Sequence, residues 1–207
     1  MYEKKFHRNS QKRFYGQDKI YFVVAKTFKN QPYFKEPIFC DLLIEELKLC
    51  KKMKRFKLYG FCLIYDHLNL LLQPDDEFNI SKVMQSIKKE FSRDANCLIL
   101  NNSKGDIPNE EGDIPECRLH GYQYSRQYKK IFDMPRLLNF HKKFITKYGR
   151  SQFQIPKFKW QKSFYDHVIR GKKDFKNHYR YTVYNYIKHE LPENWQYTSL
   201  NYEEIID

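Results

Sequence analysis

The chain has 207 residues, 17% of them aromatic and 30% charged, a globular composition long enough for a domain with a sizeable core, which excludes an intrinsically disordered polypeptide. Lys and Arg outnumber Asp and Glu by 38 to 25, and a net charge of +13 favours a polyanionic partner, nucleic acid before an anionic membrane surface. No apolar run approaches the roughly 18 residues of a membrane span, and the N-terminal stretch MYEKKFHRNSQKRFYGQDK lacks the apolar segment of a secretory signal.

In chain order, residues 1–18 form a basic arm carrying Lys4, Lys5, Arg8, Lys12 and Arg13. IYFVVAKTF at 20–28 is β-branched and aromatic and predicts a strand. From about 34 to 54, Phe39, Leu42, Leu43, Leu47, Cys50 and Met53 recur at helical spacing. LYGFCLIYDHLNLLLQP at 58–74 follows, most simply two strands, 57–65 and 67–73, with a tight turn near Asp66. The segment 79–93 is an amphipathic helix with Ile80, Val83, Met84, Ile87 and Phe91 on one stripe and Lys88, Lys89 and Arg93 on other faces.

An insertion at about 99–156 comes next. Its part 101–116 repeats Gly-Asp-Ile-Pro and predicts a mobile surface loop, and 134–149 predicts a short basic helix carrying Lys142 and Lys143. KFKWQKSFYDHVIR at 157–170 predicts a strand, and 173–191 a long final helix stopped by Pro192. The order β-α-β-β-α-insertion-β-α implies α+β architecture, a ferredoxin-like antiparallel sheet covered by helices, with 1–207 as a single domain. Basic clusters at 4–13, 51–57 and 141–147 are candidates for tracking phosphates. Five cysteines with no C-x-x-C spacing predict reduced thiols, a cytoplasmic protein and no zinc ribbon.

Strand side chains alternate, so His67 and Asn69 share one face while Leu68 and Leu70 take the other. Two polar, metal-competent side chains on an apolar strand are costly to bury without partners. His-x-Asn alone says little, because a lone strand histidine is more often structural than a ligand. The final helix adds to it. Phe175, Tyr179, Thr182, Val183, Tyr186 and Ile187 share the face expected to pack on the sheet; Asp174, His178, Tyr181, Asn185 and Lys188 form a polar stripe. Tyr181 and Asn185, four apart on this helix, project together. A tyrosine-rich packing surface explains the other tyrosines, whereas a phenol centred on the polar stripe suits a nucleophile with a metal ligand nearby.

The segments LIYDHLNLLLQP, ISKVMQSIKKEFSR and KWQKSFYDHVIRGKKDFKNHYRYTVYNYIKH together resemble the REP-associated tyrosine transposases, members of the HUH (His-hydrophobic-His) single-strand transposases. The resemblance covers most of the chain apart from the arm and the insertion. It implies the HUH endonuclease fold, with His67 as the first histidine of the pair and Asn69 standing where the second belongs. Tyr181 then matches the nucleophile, and Asn185 the polar residue that completes a Mg²⁺ or Mn²⁺ site. His167 matches a histidine common in the family, in a supporting or a structural role, and Asp66 is a further candidate supporting residue.

The same resemblance implies cleavage and rejoining of hairpin-associated single-stranded DNA through a 5′-phosphotyrosine intermediate, with no nucleotide cofactor and no G-x-x-x-x-G-K-[ST] run. The expected DNA contacts are the arm residues with Lys88, Lys89, Arg93, Lys142, Lys143 and Arg170. A homodimer and a lone subunit are both found among relatives, and membrane partners are not expected. Asn69 leaves two readings open: an amide oxygen still serving a hard cation, or a domesticated, catalytically silent hairpin-binding protein. An RNA-binding module is a third reading, but no RNP-like run accompanies it.

Overall fold

The computed structural model of the chain describes residues 15–16, 18–104, 134–148 and 155–207. Its elements are β1 (Tyr21–Lys26), α1 (Pro37–Lys54), β2 (Lys57–Ile64), β3 (His67–Gln73), α2 (Ile80–Lys104), α3 (Met134–Tyr148), β4 (Tyr165–Val168), α4 (Lys172–Val183) and α5 (Asn185–Lys188). The strands form one antiparallel sheet in the order β2-β3-β1-β4. This is the α+β, ferredoxin-like arrangement expected from the sequence.

The period of two in the strands separates the faces. Tyr21, Val23 and Ala25 of β1 and Leu68, Leu70 and Leu72 of β3 enter the main core. There they meet the stripes of α1 (Phe39, Leu43, Leu47) and α2 (Ile80, Val83, Ile87, Phe91). Proline at the first turn of α1 suits that position, where its missing N–H leaves no intrahelical bond unmade. The opposite face is built from cross-strand partners: Phe22 beside Leu71 and His167, Val24 beside Asn69 and Tyr165, and Cys62 beside Asn69. Helix α4 crosses this second face. Gly60 permits its close approach, because a Cβ there would lie 3.3 Å from Val183 Cγ1.

Several boundaries differ from expectation. Helix α2 continues to Lys104, into the segment expected to be loop; residues 105–133, with the rest of that loop, lie outside the described residues. Only 165–168 of the expected strand 157–170 pairs as a strand, preceded by an isolated bridge from Trp160 to Thr27. The reason is local: Phe158 exchanges both backbone hydrogen bonds with the Asn96 side chain of α2, at 2.7 and 3.1 Å, instead of with a strand.

The final helix is broken. Tyr184 has φ −103° and ψ 15°, and the Val183 carbonyl accepts a 2.6 Å hydrogen bond from Thr198 Oγ1 in place of a helical N–H. The residues after the helix, which carried no expectation, lie along the outer edge of β2. Leu63 N–H donates to the Tyr197 carbonyl at 2.9 Å, and Leu58 exchanges bonds with Asp207 at 2.7 and 2.9 Å.

Cys40, Cys50 and Cys62 are buried free thiols, and burial pushes Cys62 up to about 12. Cys97 is disulfide-bonded, which corrects the expectation of reduced thiols throughout. Among the described residues no helix is long and apolar enough to cross a membrane.

Candidate nuclease site

The second sheet face gathers the polar residues singled out above. His67 and Asn69 point from β3 into it and are 6% and 1% exposed. His67 Nδ1 lies 2.7 Å from Asp66 Oδ1. A carboxylate on Nδ1 fixes the N–H there and leaves the Nε2 lone pair free, the arrangement by which histidine ligands are oriented.

Asn69 Nδ2 donates to Asn185 Oδ1 at 2.9 Å across the interface between β3 and α5. The break at Tyr184 makes this contact available by turning Asn185 inward, where it is 1% exposed. Tyr181, on the preceding helix, stays 41% exposed. The expectation that Tyr181 and Asn185 lie together on one stripe is therefore corrected: the kink separates an exposed phenol from a buried amide. Asn185 Nδ2 is buried and makes no hydrogen bond among the described residues. A donor left over at that depth costs roughly 1–3 kcal/mol unless something from outside completes it.

The Tyr181 ring packs edge-on against Phe22, with centroids 5.6 Å apart. Lys188 Nζ lies 3.4 Å from the phenol oxygen and 5.0 Å from the ring centroid. The helix bearing Tyr181 is anchored by Asp174 in its first turn. Its carboxylate accepts from the Arg170 backbone N–H at 2.8 Å and meets His167 Nε2 at 3.0 Å and His178 Nδ1 at 2.8 Å. The two imidazoles stack at 4.5 Å, and His178 also packs on Phe22. The Arg170 N–H, then His167, hold the Asp174 carboxyl below the usual carboxylate range. His167 thus ties β4 to the first turn of α4. The His167, Asp174 and His178 ligand atoms lie within 4.8 Å of one another, a spacing a cation could use, but here they bond to each other.

Sequence reasoning missed His189. Its ring meets that of His67 edge to face, with centroids 4.9 Å apart. Burial, and then the neighbouring His67, hold it below its ordinary value. The only signal in the sequence is that His189 follows Asn185 by four residues. The set of His67, Asn69 and Asn185, with neutral nitrogen and amide oxygen donors, fits a hard or borderline divalent cation.

The expected DNA contacts divide. Lys89, Lys142, Lys143 and Arg170 are exposed. Arg170 borders a cleft of about 830 Å³ whose lining includes Lys19, Lys172 and Phe175. Lys88 instead donates to the carbonyls of Gln161 and Ser163, at 2.7 and 3.1 Å. Arg93 is a correction: it is 8% exposed and spends its guanidinium on Asp94, at 2.6 and 2.9 Å, and on Glu90. Burial, then Asp94, pushes the neighbouring Glu46 well above its ordinary value. Much of the 51–57 cluster is likewise used internally, Lys51 by Asp207 and Arg55 by Asp75 and Glu77. Lys4, Lys5, Arg8, Lys12 and Arg13 lie outside the described residues.

The family described as "Transposase IS200 like" matches residues 18–104, the run from the first strand to the end of α2. A Haemophilus influenzae protein described as a REP-associated tyrosine transposase is 26% identical over 150 residues, 70% of this chain. The chain spans 60% of that relative's length. Among solved structures, a REP-associated tyrosine transposase bound to a REP hairpin matches with a TM-score of 0.58 at 14% identity, over 94% of this chain and 84% of the other. A transposase from Deinococcus radiodurans matches with a TM-score of 0.39 at 13% identity, over 87% and 97%. The strand bearing His67 and Asn69 lies inside the matched segment, and the chain is similar to the IS200-like transposases over residues 18–104 and to a REP-associated tyrosine transposase over 150 residues.

Proposed function

We propose that this chain is a divalent-metal-dependent endonuclease and transposase that cuts and rejoins single-stranded DNA beside a hairpin, through a 5′-phosphotyrosine link to Tyr181. The observation that carries the reading is the placement of Tyr181. It is an exposed phenol on a helix anchored to the sheet, seated on Phe22, with an ammonium 3.4 Å from its oxygen. A positive charge at that distance favours the negative charge that develops as the phenol loses its proton.

His67, Asn69 and Asn185 are the residues that would hold Mg²⁺ or Mn²⁺, and a bound ion supplies Lewis-acid neutralisation of the scissile phosphate. The Tyr181 oxygen bonds to phosphorus, the bond from phosphorus to the 3′-oxygen breaks, and that oxygen takes a proton to become a free 3′-OH. Attack by a 3′-OH on the same phosphorus reverses the exchange and releases the phenol, so rejoining requires no nucleotide. The net charge of +13 and the hairpin held by the structural neighbour support hairpin DNA as partner. Exposed Lys89, Lys142, Lys143 and Arg170 are suited to its phosphates, with the arm residues in the same role.

A second reading, a silent hairpin-binding protein, is favoured by the Asn69–Asn185 hydrogen bond, which occupies an oxygen that a cation would need. Denaturing gels of protein mixed with 5′- and 3′-labelled hairpins and Mg²⁺ or Mn²⁺ separate the two. A covalent adduct that disappears in Tyr181→Phe supports the nuclease. Hairpin binding without an adduct, and an adduct restored by Asn69→His, assigns the chain to the silent class.

A further inference from the structure

The three residues expected to hold the cation do not converge as three equal ligands. Asn69 and Asn185 face each other side chain to side chain, one amide donating to the other at 2.9 Å. Whichever way the two amides are turned, one oxygen of the pair receives the partner's N–H and is partly spent. Asn69 lies between Val24 and Cys62 in the middle of the sheet, on a strand paired on both sides. It is placed to orient Asn185.

His189 stands against His67. Among the described residues neither of its ring nitrogens makes a hydrogen bond. Its backbone N–H donates to the Asn185 carbonyl at 3.3 Å, so the two residues share one helical turn and their side chains rise on the same side. The contact with His67 also has the right size. A metal–nitrogen bond of about 2.1 Å puts each imidazole centroid about 3.2 Å from the ion, and two such rings subtending about 90–110° lie roughly 4.5–5.3 Å apart. The observed separation is 4.9 Å at an interplanar angle of 65°. With Nδ1 of His67 engaged by Asp66, its Nε2 is the free ligand atom.

We propose that His189 takes the coordination position left by the absent second strand histidine. The divalent-cation site is then His67, His189 and the remaining lone pair of Asn185 Oδ1, with Asn69 positioning Asn185 through the other lone pair. This inference rests on the metal-dependent reading above and assigns the ligands within it. It converts a strand pair, His-x-Asn, into a pair split between β3 and the end of α5.

The test is Mn²⁺ binding to the full chain, by calorimetry and by electron paramagnetic resonance of free Mn²⁺. Histidine ring signals are followed in parallel in ¹⁵N-labelled protein. His189→Ala is expected to weaken Mn²⁺ at least about tenfold, and adding Asn69→His to that variant is expected to recover most of the loss. In the wild type, Mn²⁺ at substoichiometric amounts is expected to broaden the rings of His67 and His189 more strongly than those of His167 and His178. That spectrum tests the inference without any variant. Unchanged affinity in His189→Ala, or stronger broadening at His167 and His178, overturns the assignment of His189. If Mn²⁺ still drives a Tyr181-dependent adduct in either of those cases, the nuclease reading stands and only the ligand set is wrong. No Mn²⁺ binding and no adduct in the wild type overturns both.

Discussion

Arg93→Ala separates a structural cation from a DNA-binding one. The Arg93 side chain is 6% exposed, and its partners Asp94 and Glu90 are 2% and 7% exposed. Removing it takes from Asp94 and Glu90, beside Glu46 and out of water, the guanidinium they share. Breaking a buried pair this way costs about 3–5 kcal/mol. At roughly 2–4 °C per kcal/mol for a chain of this size, melting falls by about 6–20 °C. The pH dependence has a definite sign. Glu46 already sits well above its ordinary value, and Arg93 is the group that pulls it down. A raised folded value means stability is greatest below the unfolded value of about 4.3 and declines as pH rises through the folded one. Without Arg93 the folded value moves further up and the decline extends to higher pH, so the variant should lose more stability than wild type between an acidic and an alkaline pH. Arg93→Lys, which keeps the charge but loses the fork, should fall between the two. Urea unfolding at both pH values, with hairpin affinity measured alongside, provides the check. Stability within about 1 kcal/mol of wild type, together with weaker DNA binding and a shallower salt dependence, would falsify the internal role.

Lys188→Ala should slow formation of the Tyr181 adduct about tenfold or more in single-turnover assays, at unchanged hairpin affinity, because the ammonium stabilises charge that develops only during the reaction. Equal losses of binding and rate would instead make Lys188 a DNA contact. Asp174→Asn should destabilise the protein near neutral pH. The native carboxyl is held below its ordinary value, so its contribution is present above the unfolded value of about 3.9 and disappears as pH falls through the folded one. Thermal melts of variant and wild type should converge below about pH 4, and a constant gap would mean that the tether acts through packing alone. Charge reversal at Lys142, Lys143 or Arg170 should leave melting unchanged, weaken hairpin binding and reduce the slope of log affinity against log salt by about one per lost phosphate contact. An unchanged slope would remove that residue from the DNA surface.

The parts of this molecule set by local periodicity were legible before any coordinates. The alternation in β3 put His67 and Asn69 on one face. The Ile80–Phe91 stripe announced α2, and the element order implied the sheet. What could not be read depends on partners distant in the chain. A helix with good propensity through 184 breaks because Thr198 captures the Val183 carbonyl, and nothing near Tyr184 announces that. His189 resembles a basic residue at a helix end until topology brings it against His67. Residues 157–164 have strand composition, yet Asn96 of α2 supplies the bonds that a neighbouring strand would have made. Arg93 shares its helix with the exposed Lys82 and Lys89, and only the packing of α2 on α1 buries it together with Glu90 and Asp94, beside Glu46.

The final residues have a consequence of their own. By exchanging bonds with Leu58 and Leu63 they occupy the outer side of β2, an otherwise open lateral border of the sheet. A chain clipped before Tyr197 would present that border bare, with its N–H and C=O groups free to dock onto a second molecule edge to edge. The segment from Tyr197 to Asp207 therefore acts as a built-in guard against self-association. Trimming it would also remove the Thr198 hydroxyl that holds the Val183 carbonyl, so the covered edge and the break that turns Asn185 inward would be lost together.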